Sequence, residues 1–179
     1  MSAGGAAVFL DRDGTLIEDV GYPRDPDEVR LLSGVPAALG RLAAAGLRLV
    51  VVSNQSGIGR GLIRTEEASA VHDRLVADLG GQGIVLDGAK YCPHAPGEGC
   101  DCRKPAPGML LDAAAELDLD LGSSFMIGDK QSDVEAGRRA GCRATVLLAM
   151  GAAEAGGADR VAADLGSAAD FILGLDVPA

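Results

Sequence analysis

Histidine is scarce in this sequence. Of its two copies, His94 sits among cysteines and His72 falls midway along a helical stretch, so neither is placed to serve as a general base. No G-x-S-x-G pattern is present either, and serine-nucleophile hydrolysis of the familiar kind is thereby disfavoured. Positive charge is also limited: 16 Lys and Arg face 26 Asp and Glu, a formal net charge of -10. That far field repels DNA, RNA and anionic membrane surfaces, and any anionic ligand needs a local positive site. No segment approaches the roughly 20 apolar residues that cross a bilayer, and the N-terminus lacks a basic region followed by a long apolar one. The expectation is a cytoplasmic protein without nucleic-acid or membrane partners, and a monomer. There is no internal repeat. Gly57-Ile58-Gly59-Arg60-Gly61 fits neither the dinucleotide-binding nor the P-loop spacing, and reads as a substrate-side loop. The Ala/Gly-rich stretch 151–157 reads as a surface loop.

What is present describes one folded unit. Apolar residues make up 47% and charged residues 23% of 179 positions, a globular balance that suits a single domain over 1–179. Apolar runs at 6–10, 48–52, 84–86, 124–127, 143–148 and 170–173 read as strands. Helical periodicity at 35–45, 65–79, 107–117 (Pro107 in the first turn) and 132–140 falls between them. Alternation of this kind predicts an α/β fold: a doubly wound, Rossmann-like three-layer α/β/α sandwich around a parallel sheet. Ligands in such folds bind beyond the carboxyl ends of the strands. With 170–173 as the last strand, the sequence ends soon after it, and a fold without a closing helix is expected.

Reading strand ends alone collects Asp11 and Asp13, then Ser53, Asn54 and Gln55, then Asp129 and Asp133. Carboxylates crowded on one edge repel unless a cation neutralises them, and hard oxygen donors suit Mg²⁺. Because Mg²⁺ is commonly held by a few carboxylates together with a substrate phosphate, phosphoryl chemistry is the natural match. A calcium loop is disfavoured, since Asp11 and Asp13 lack the third ligand and the terminal glutamate.

Three of the four cysteines crowd with His94 into Cys92-Pro-His94 and Cys100-Asp-Cys102. In a reducing compartment this is a metal pattern, and three thiolates with one imidazole complete a tetrahedral Zn²⁺ set. A closed set is structural and would pin the irregular loop 92–102 leading into Arg103 and Lys104. Cys142 reads as a core thiol and His72 as a helix-surface residue.

Phe9-Leu-Asp-Arg-Asp-Gly-Thr-Leu16, Ser53, Lys104 and Gly128-Asp129-Lys-Gln-Ser-Asp133 resemble, in order, the four motifs of haloacid dehalogenase (HAD) superfamily phosphatases. The resemblance spans about 7–148 and implies Asp11 as nucleophile and Asp13 as proton donor. It further implies that Ser53 and Lys104 hold the phosphoryl oxygens, and that Asp11, the Asp13 carbonyl and Asp129 hold Mg²⁺ with support from Asp133. The second aspartate speaks against dehalogenation.

Within that superfamily, Gly21-Tyr22-Pro23, Asn54-Gln55-Ser56-Gly57-Ile58, Tyr91-Cys-Pro-His94, Cys102-Arg-Lys-Pro105 and Pro107-Gly-Met-Leu110 resemble the heptose bisphosphate phosphatase subgroup. The resemblance implies a sugar bisphosphate substrate contacted by Asp19, Val20, Gly21, Tyr22, Asn54, Gln55, Ser56, Arg103 and Lys130, with Arg103 near the remote phosphate. The short linker between His94 and Cys100 is similar to that of histidinol-phosphate phosphatases, which share the zinc pattern. The spacings from Asp13 to Ser53 and from Ser53 to Lys104 leave no room for a large cap domain.

Overall fold

The computed structural model describes residues 4–149 and 155–175. Strands β1 (Ala7–Leu10), β2 (Arg48–Asn54), β3 (Gly88–Cys92), β4 (Phe125–Gly128), β5 (Ala144–Leu148) and β6 (Arg160–Ala162) form one sheet. Their order is β3-β2-β1-β4-β5-β6, and every pairing is parallel. The chain builds outward from β1 to one edge, returns to the centre at β4, and builds outward again. Connections on the two sides of β1 and β4 therefore leave in opposite directions and open a crevice beyond those strand ends.

Strands covered on both faces must be apolar on both, and β1 is buried throughout. Side-chain alternation sends Val8, Leu10, Leu49, Val51, Phe125 and Ile127 to one face, against α1 (Val35–Ala44), α3 (Thr65–Gly80) and α6 (Leu165–Leu173). Ala7, Phe9, Val50, Val52 and Met126 go to the other, against α4 (Gly108–Leu117) and α5 (Gln131–Ala140). The result is the expected three-layer sandwich. Between Asp13 and β2 the chain adds only a 3-10 turn at Pro26–Glu28 and α1, while α2 (Ser56–Gly59) is one turn after β2, so no large cap intervenes. Among the described residues no helix is long and apolar enough to cross a membrane.

The two edge strands depart from the sequence reading. The run 84–86 is not a strand: Ile84 is 8% exposed beneath the end of α3, whereas Val85 is 76% exposed. The strand is Gly88–Cys92, whose edge position leaves it half-buried and without an apolar run. Residues 170–173 belong to α6, where Leu165, Ala168, Ala169 and Ile172 make a buried stripe at helical spacing, and Asp164 caps the first turn by accepting the Ser167 N–H at 2.7 Å. The fold thus has a closing helix, and the sixth strand is the three-residue β6. Pro107 is the cap residue before α4 rather than part of its first turn. Of the stretch 151–157, positions 151–154 lie outside the described residues, and Ala155, Gly156 and Gly157 are exposed.

The layer of α5 lies so close to the sheet that a Cβ on Gly137 would sit 2.6 Å from Met126 Cβ and 2.9 Å from Thr145 Cγ2. Gly137→Ala gains about 1 kcal/mol in helix propensity but overpacks at a cost of about 1–3 kcal/mol, so net destabilisation is expected. In α1, a Cβ on Gly40 meets only Ile84 Cδ1 at 3.4 Å, and Gly40→Ala is expected to stabilise. Thermal unfolding should lower the midpoint of the first variant by about 2–4 °C per kcal/mol and raise that of the second. A midpoint for Gly137→Ala at or above the parent's would contradict the close packing.

Candidate active site

Asp11 follows β1 directly, and Asp13 lies in the turn beyond it. The Arg12 carbonyl closes that turn by accepting the N–H groups of Thr15, Leu16 and Ile17 at 3.3, 2.8 and 3.1 Å. Gly14 adopts φ +83°, and a Cβ there would collide with the Asp129 carboxylate, so only glycine lets the turn settle against Asp129. Ser53 lies at the end of β2, Asp129 just past β4, and Asp133 in the first turn of α5. Lys104 arrives from the irregular segment between β3 and α4. Together Asp11, Asp13, Ser53, Asn54, Lys104, Lys130, Ser132 and Asp133 line one small cleft at the switch point.

Lys104 is 3% exposed, and its Nζ lies 2.7 Å from Asp11 Oδ1, 2.6 Å from Asp133 Oδ1 and 2.7 Å from the Val52 carbonyl. Burial disfavours its charge, but Asp11 and Asp133 outweigh burial and hold its pKa above the ordinary lysine value. Asp133 also accepts the Lys130 N–H at 3.0 Å on its other oxygen, capping α5. Burial raises the Asp133 carboxyl pKa more than Lys104 lowers it. Asp133 therefore ties Lys104 to the start of α5.

Asp129 is differently placed. Its Oδ1 is buried with no hydrogen-bond partner among the described residues, and Lys130 Nζ approaches the other oxygen only to 3.8 Å. Burial, then the neighbouring Asp11, push its pKa up to about 7. One oxygen each from Asp11, Asp129 and Asp133 lies within 4.8 Å of the others. A buried, unpartnered carboxylate oxygen beside a second carboxylate fits a hard divalent cation.

Gln55 joins two site residues, its Nε2 donating to Asp13 Oδ2 and to Ser53 Oγ, both at 2.9 Å. Asn54 exchanges a pair of hydrogen bonds with the Lys104 backbone, each 3.0 Å, so its amide clamps the lysine segment to the end of β2. Ser56 is buried in α2. Asp19, Val20, Gly21 and Tyr22 form an exposed strap at the mouth. Asp19 accepts the Gly21 N–H at 2.9 Å and lies 3.4 Å from Lys130 Nζ, while the Tyr22 ring packs against Gly57. Arg103 is partly buried and donates to the His94 carbonyl at 3.2 Å.

Two residues of this region escaped the sequence reading. Ser132 lines the cleft, and strand-end counting passes it over because it lies inside α5. Arg12 is 1% exposed although two acidic neighbours give it the look of a solvated turn residue. His72 also differs from expectation: it is half-buried, its Nδ1 2.6 Å from the Tyr91 hydroxyl, because α3 lies over β3.

The ligand atoms of Cys92, His94, Cys100 and Cys102 lie within 4.8 Å of one another. Sulfur separations of 3.1 Å (Cys92–Cys102) and 3.7 Å (Cys92–Cys100) are too long for a disulfide. His94 Nδ1 stands 3.5 Å from Cys92 Sγ and 3.3 Å from Cys102 Sγ. Zinc–sulfur bonds of about 2.3 Å in a tetrahedron put sulfurs roughly 3.8 Å apart, so the cluster is compatible with zinc after a small expansion. Cys142 packs at the edge of the core beneath α4 and α5, and burial pushes its thiol up to about 12.

Residues 101–171 match the HAD-hydrolase-like family model. A D-glycero-beta-D-manno-heptose-1,7-bisphosphate 7-phosphatase of Photorhabdus laumondii is 44% identical, with 84% of each chain covered. Its namesake in Escherichia coli K12 is 41% identical over 81% of this chain and 80% of its own. Among solved structures, a D,D-heptose 1,7-bisphosphate phosphatase from B. bronchiseptica, complexed with magnesium and phosphate, superposes with a TM-score of 0.83 at 37% identity. That match covers 94% of this chain and 98% of the other. The chain is accordingly a HAD-type phosphatase and belongs to the D-glycero-beta-D-manno-heptose-1,7-bisphosphate 7-phosphatase family.

Proposed function

We propose that the chain, as one catalytic domain, removes the 7-phosphate of D-glycero-β-D-manno-heptose 1,7-bisphosphate in the cytoplasm, with Mg²⁺ at Asp11, the Asp13 carbonyl and Asp129. The heptose 1-phosphate left behind would feed nucleotide-activated heptose for surface glycans. The observation that carries the chemistry is the pairing of Asp11, held 2.7 Å from a buried lysine, with the unpartnered Asp129 oxygen in the same cleft. The substrate rests on the relatives' names, on the strap at Asp19–Tyr22, and on Lys130 and Arg103 as cations for phosphate oxygens.

When bound, Mg²⁺ supplies positive charge that offsets repulsion between Asp11 and the phosphate. An Asp11 carboxylate oxygen attacks phosphorus as the ester P–O bond breaks, and Asp13 gives its proton to the departing sugar oxygen. Asp13 then takes a proton from water as the water oxygen displaces Asp11 from phosphorus. Ser53 and Lys104 hold the nonbridging oxygens through both steps, dividing one displacement into two. No histidine is needed, and none is among the described residues that line the cleft. The intact set Asp11, Asp13, Ser53, Lys104 and Asp129 argues against a silent zinc-stabilised binding module.

Asp11→Asn keeps the side chain's size and loses its nucleophilic charge. Mg²⁺-dependent phosphate release should fall by about 10³-fold or more while the variant still folds, since Asp133 and the Val52 carbonyl continue to hold Lys104. Full activity in that variant would end the mechanism.

We assign Cys92, His94, Cys100 and Cys102 as a structural Zn²⁺ site. Elemental analysis should find one zinc per chain after extensive dialysis, reduced in Cys100→Ser together with activity, because the loop leads directly into Arg103 and Lys104. A zinc-free active protein would remove the assignment.

With purified protein and Mg²⁺, phosphate release should favour the β anomer of the heptose bisphosphate over the α anomer, histidinol phosphate and fructose 1,6-bisphosphate. Preference for histidinol phosphate would keep the mechanism and replace the substrate.

A further inference from the structure

Arg12 stands between the nucleophile and the proton donor in sequence yet belongs to the opposite side of the sheet. Val8 and Leu10 of β1 face the layer containing α1, α3 and α6, while Ala7 and Phe9 face α4 and α5. Carried on past the strand, this alternation puts Asp11 with Lys104 and Asp133 and turns Arg12 toward β3 and α3. The Arg12 guanidinium carbon lies 5.6 Å from the centre of the Tyr91 ring. The Tyr91 hydroxyl is in turn 2.6 Å from His72 Nδ1, and the two rings meet edge-on at 5.3 Å.

From that floor the guanidinium reaches back to Asp13. Its Nε lies 3.3 and 3.2 Å from the two Asp13 oxygens, and its Nη2 lies 3.2 and 3.1 Å from the same pair. Gln55 Nε2 adds a third donor at 2.9 Å. The remaining nitrogen, Nη1, is buried with no partner among the described residues. A buried cation with an unsatisfied nitrogen is costly, and a planar fork across both oxygens fixes a carboxylate's orientation as a point charge does not.

We infer that Arg12 is the positioning residue for Asp13, orienting its carboxyl for proton transfer, and that Tyr91 and His72 form the floor that holds the guanidinium in place. The inference rests on the reading of Asp13 as proton donor and acceptor. In the first step a new bond forms from Asp11 to phosphorus, the ester P–O bond breaks, and the Asp13 proton goes to the leaving oxygen. Only that last transfer depends on where Asp13 points. An arginine that merely stabilised the turn would affect every substrate alike.

The test compares leaving groups in single turnovers with Mg²⁺. An alkoxide such as the heptose oxygen needs a proton to depart, whereas the p-nitrophenolate of p-nitrophenyl phosphate departs as a stable anion. Arg12→Met should slow phosphoryl transfer from the heptose bisphosphate by about 100-fold and from p-nitrophenyl phosphate by less than about tenfold. Arg12→Lys, which keeps charge and loses the fork, should show the same selectivity to a smaller degree and serves if the Met variant does not fold. In an Asp13→Asn background, Arg12→Met should cost nothing more, since it acts through Asp13. Equal losses on both substrates, or additive losses in the double variant, would overturn the inference while leaving Asp13 in its role. If Asp13→Asn alone shows no leaving-group selectivity, the reading of Asp13 falls, and the role of Arg12 with it.

Discussion

The ammonium group of Lys104 lies within 2.7 Å of three oxygens that belong to different parts of the chain: Asp11 after β1, the Val52 carbonyl in β2, and Asp133 in α5. Each of its N–H bonds therefore has a partner, which is the condition under which a lysine tolerates complete burial. Breaking a buried pair by removing one member typically costs about 3–5 kcal/mol, so these segments are fixed relative to one another by more than their apolar packing. On the proposed mechanism, Asp11 is held in place by the same cation that would exchange one of these partners for a phosphoryl oxygen of the substrate. The arrangement is organised before any ligand arrives, which is what electrostatic stabilisation of a transferring group requires.

Lys104 itself lies in no helix or strand, and its position has to be imposed from outside. Asn54 does this at one end by pairing with both backbone polar groups of Lys104. The Cys/His cluster does it at the other, gathering Cys92 at the end of β3 with His94, Cys100 and Cys102, two residues short of Lys104. Arg103 ties the two together by donating to the His94 carbonyl. A loop without a hydrogen-bonded ladder of its own gains most from such cross-links, because its ordering entropy is offset by few other contacts.

The parts of the site that sequence pattern reveals are those at the ends of buried strands. β1, β2 and β4 are covered on both faces, so their residues form continuous apolar runs whose ends mark Asp11, Ser53 and Asp129. The edge strands β3 and β6 carry no such signal, because one flank is open and Gly88–Cys92 includes a lysine and a tyrosine. Phe171, Ile172 and Leu173 mimic a strand locally, and only the longer stripe beginning at Leu165 identifies a helix. The contacts of Arg12, Gln55 and His72 are legible only in three dimensions, although Gln55 itself stands at a strand end. Their partners are 1, 42 and 19 residues away, and nothing in local polarity distinguishes a buried arginine between two aspartates from a solvated one.

A net charge of -10 and an anionic substrate are reconciled by where the cations lie. Lys104 and Lys130 both reach the cleft, and Arg103 sits beside it, whereas salt bridges elsewhere, such as Arg41–Asp170 and Arg74–Asp78, neutralise positive charge at the surface. Lys104 already serves two carboxylates, Arg12 lies against Asp13, and the half-exposed Lys130 approaches Asp129 only to 3.8 Å and is shared with Asp19. The surplus negative charge thus falls beside the unpartnered Asp129 oxygen, and a divalent cation there would turn the cleft from repulsive to attractive for phosphate. On the proposed mechanism, selectivity for an anion by an acidic protein would then rest on the metal-loaded cleft.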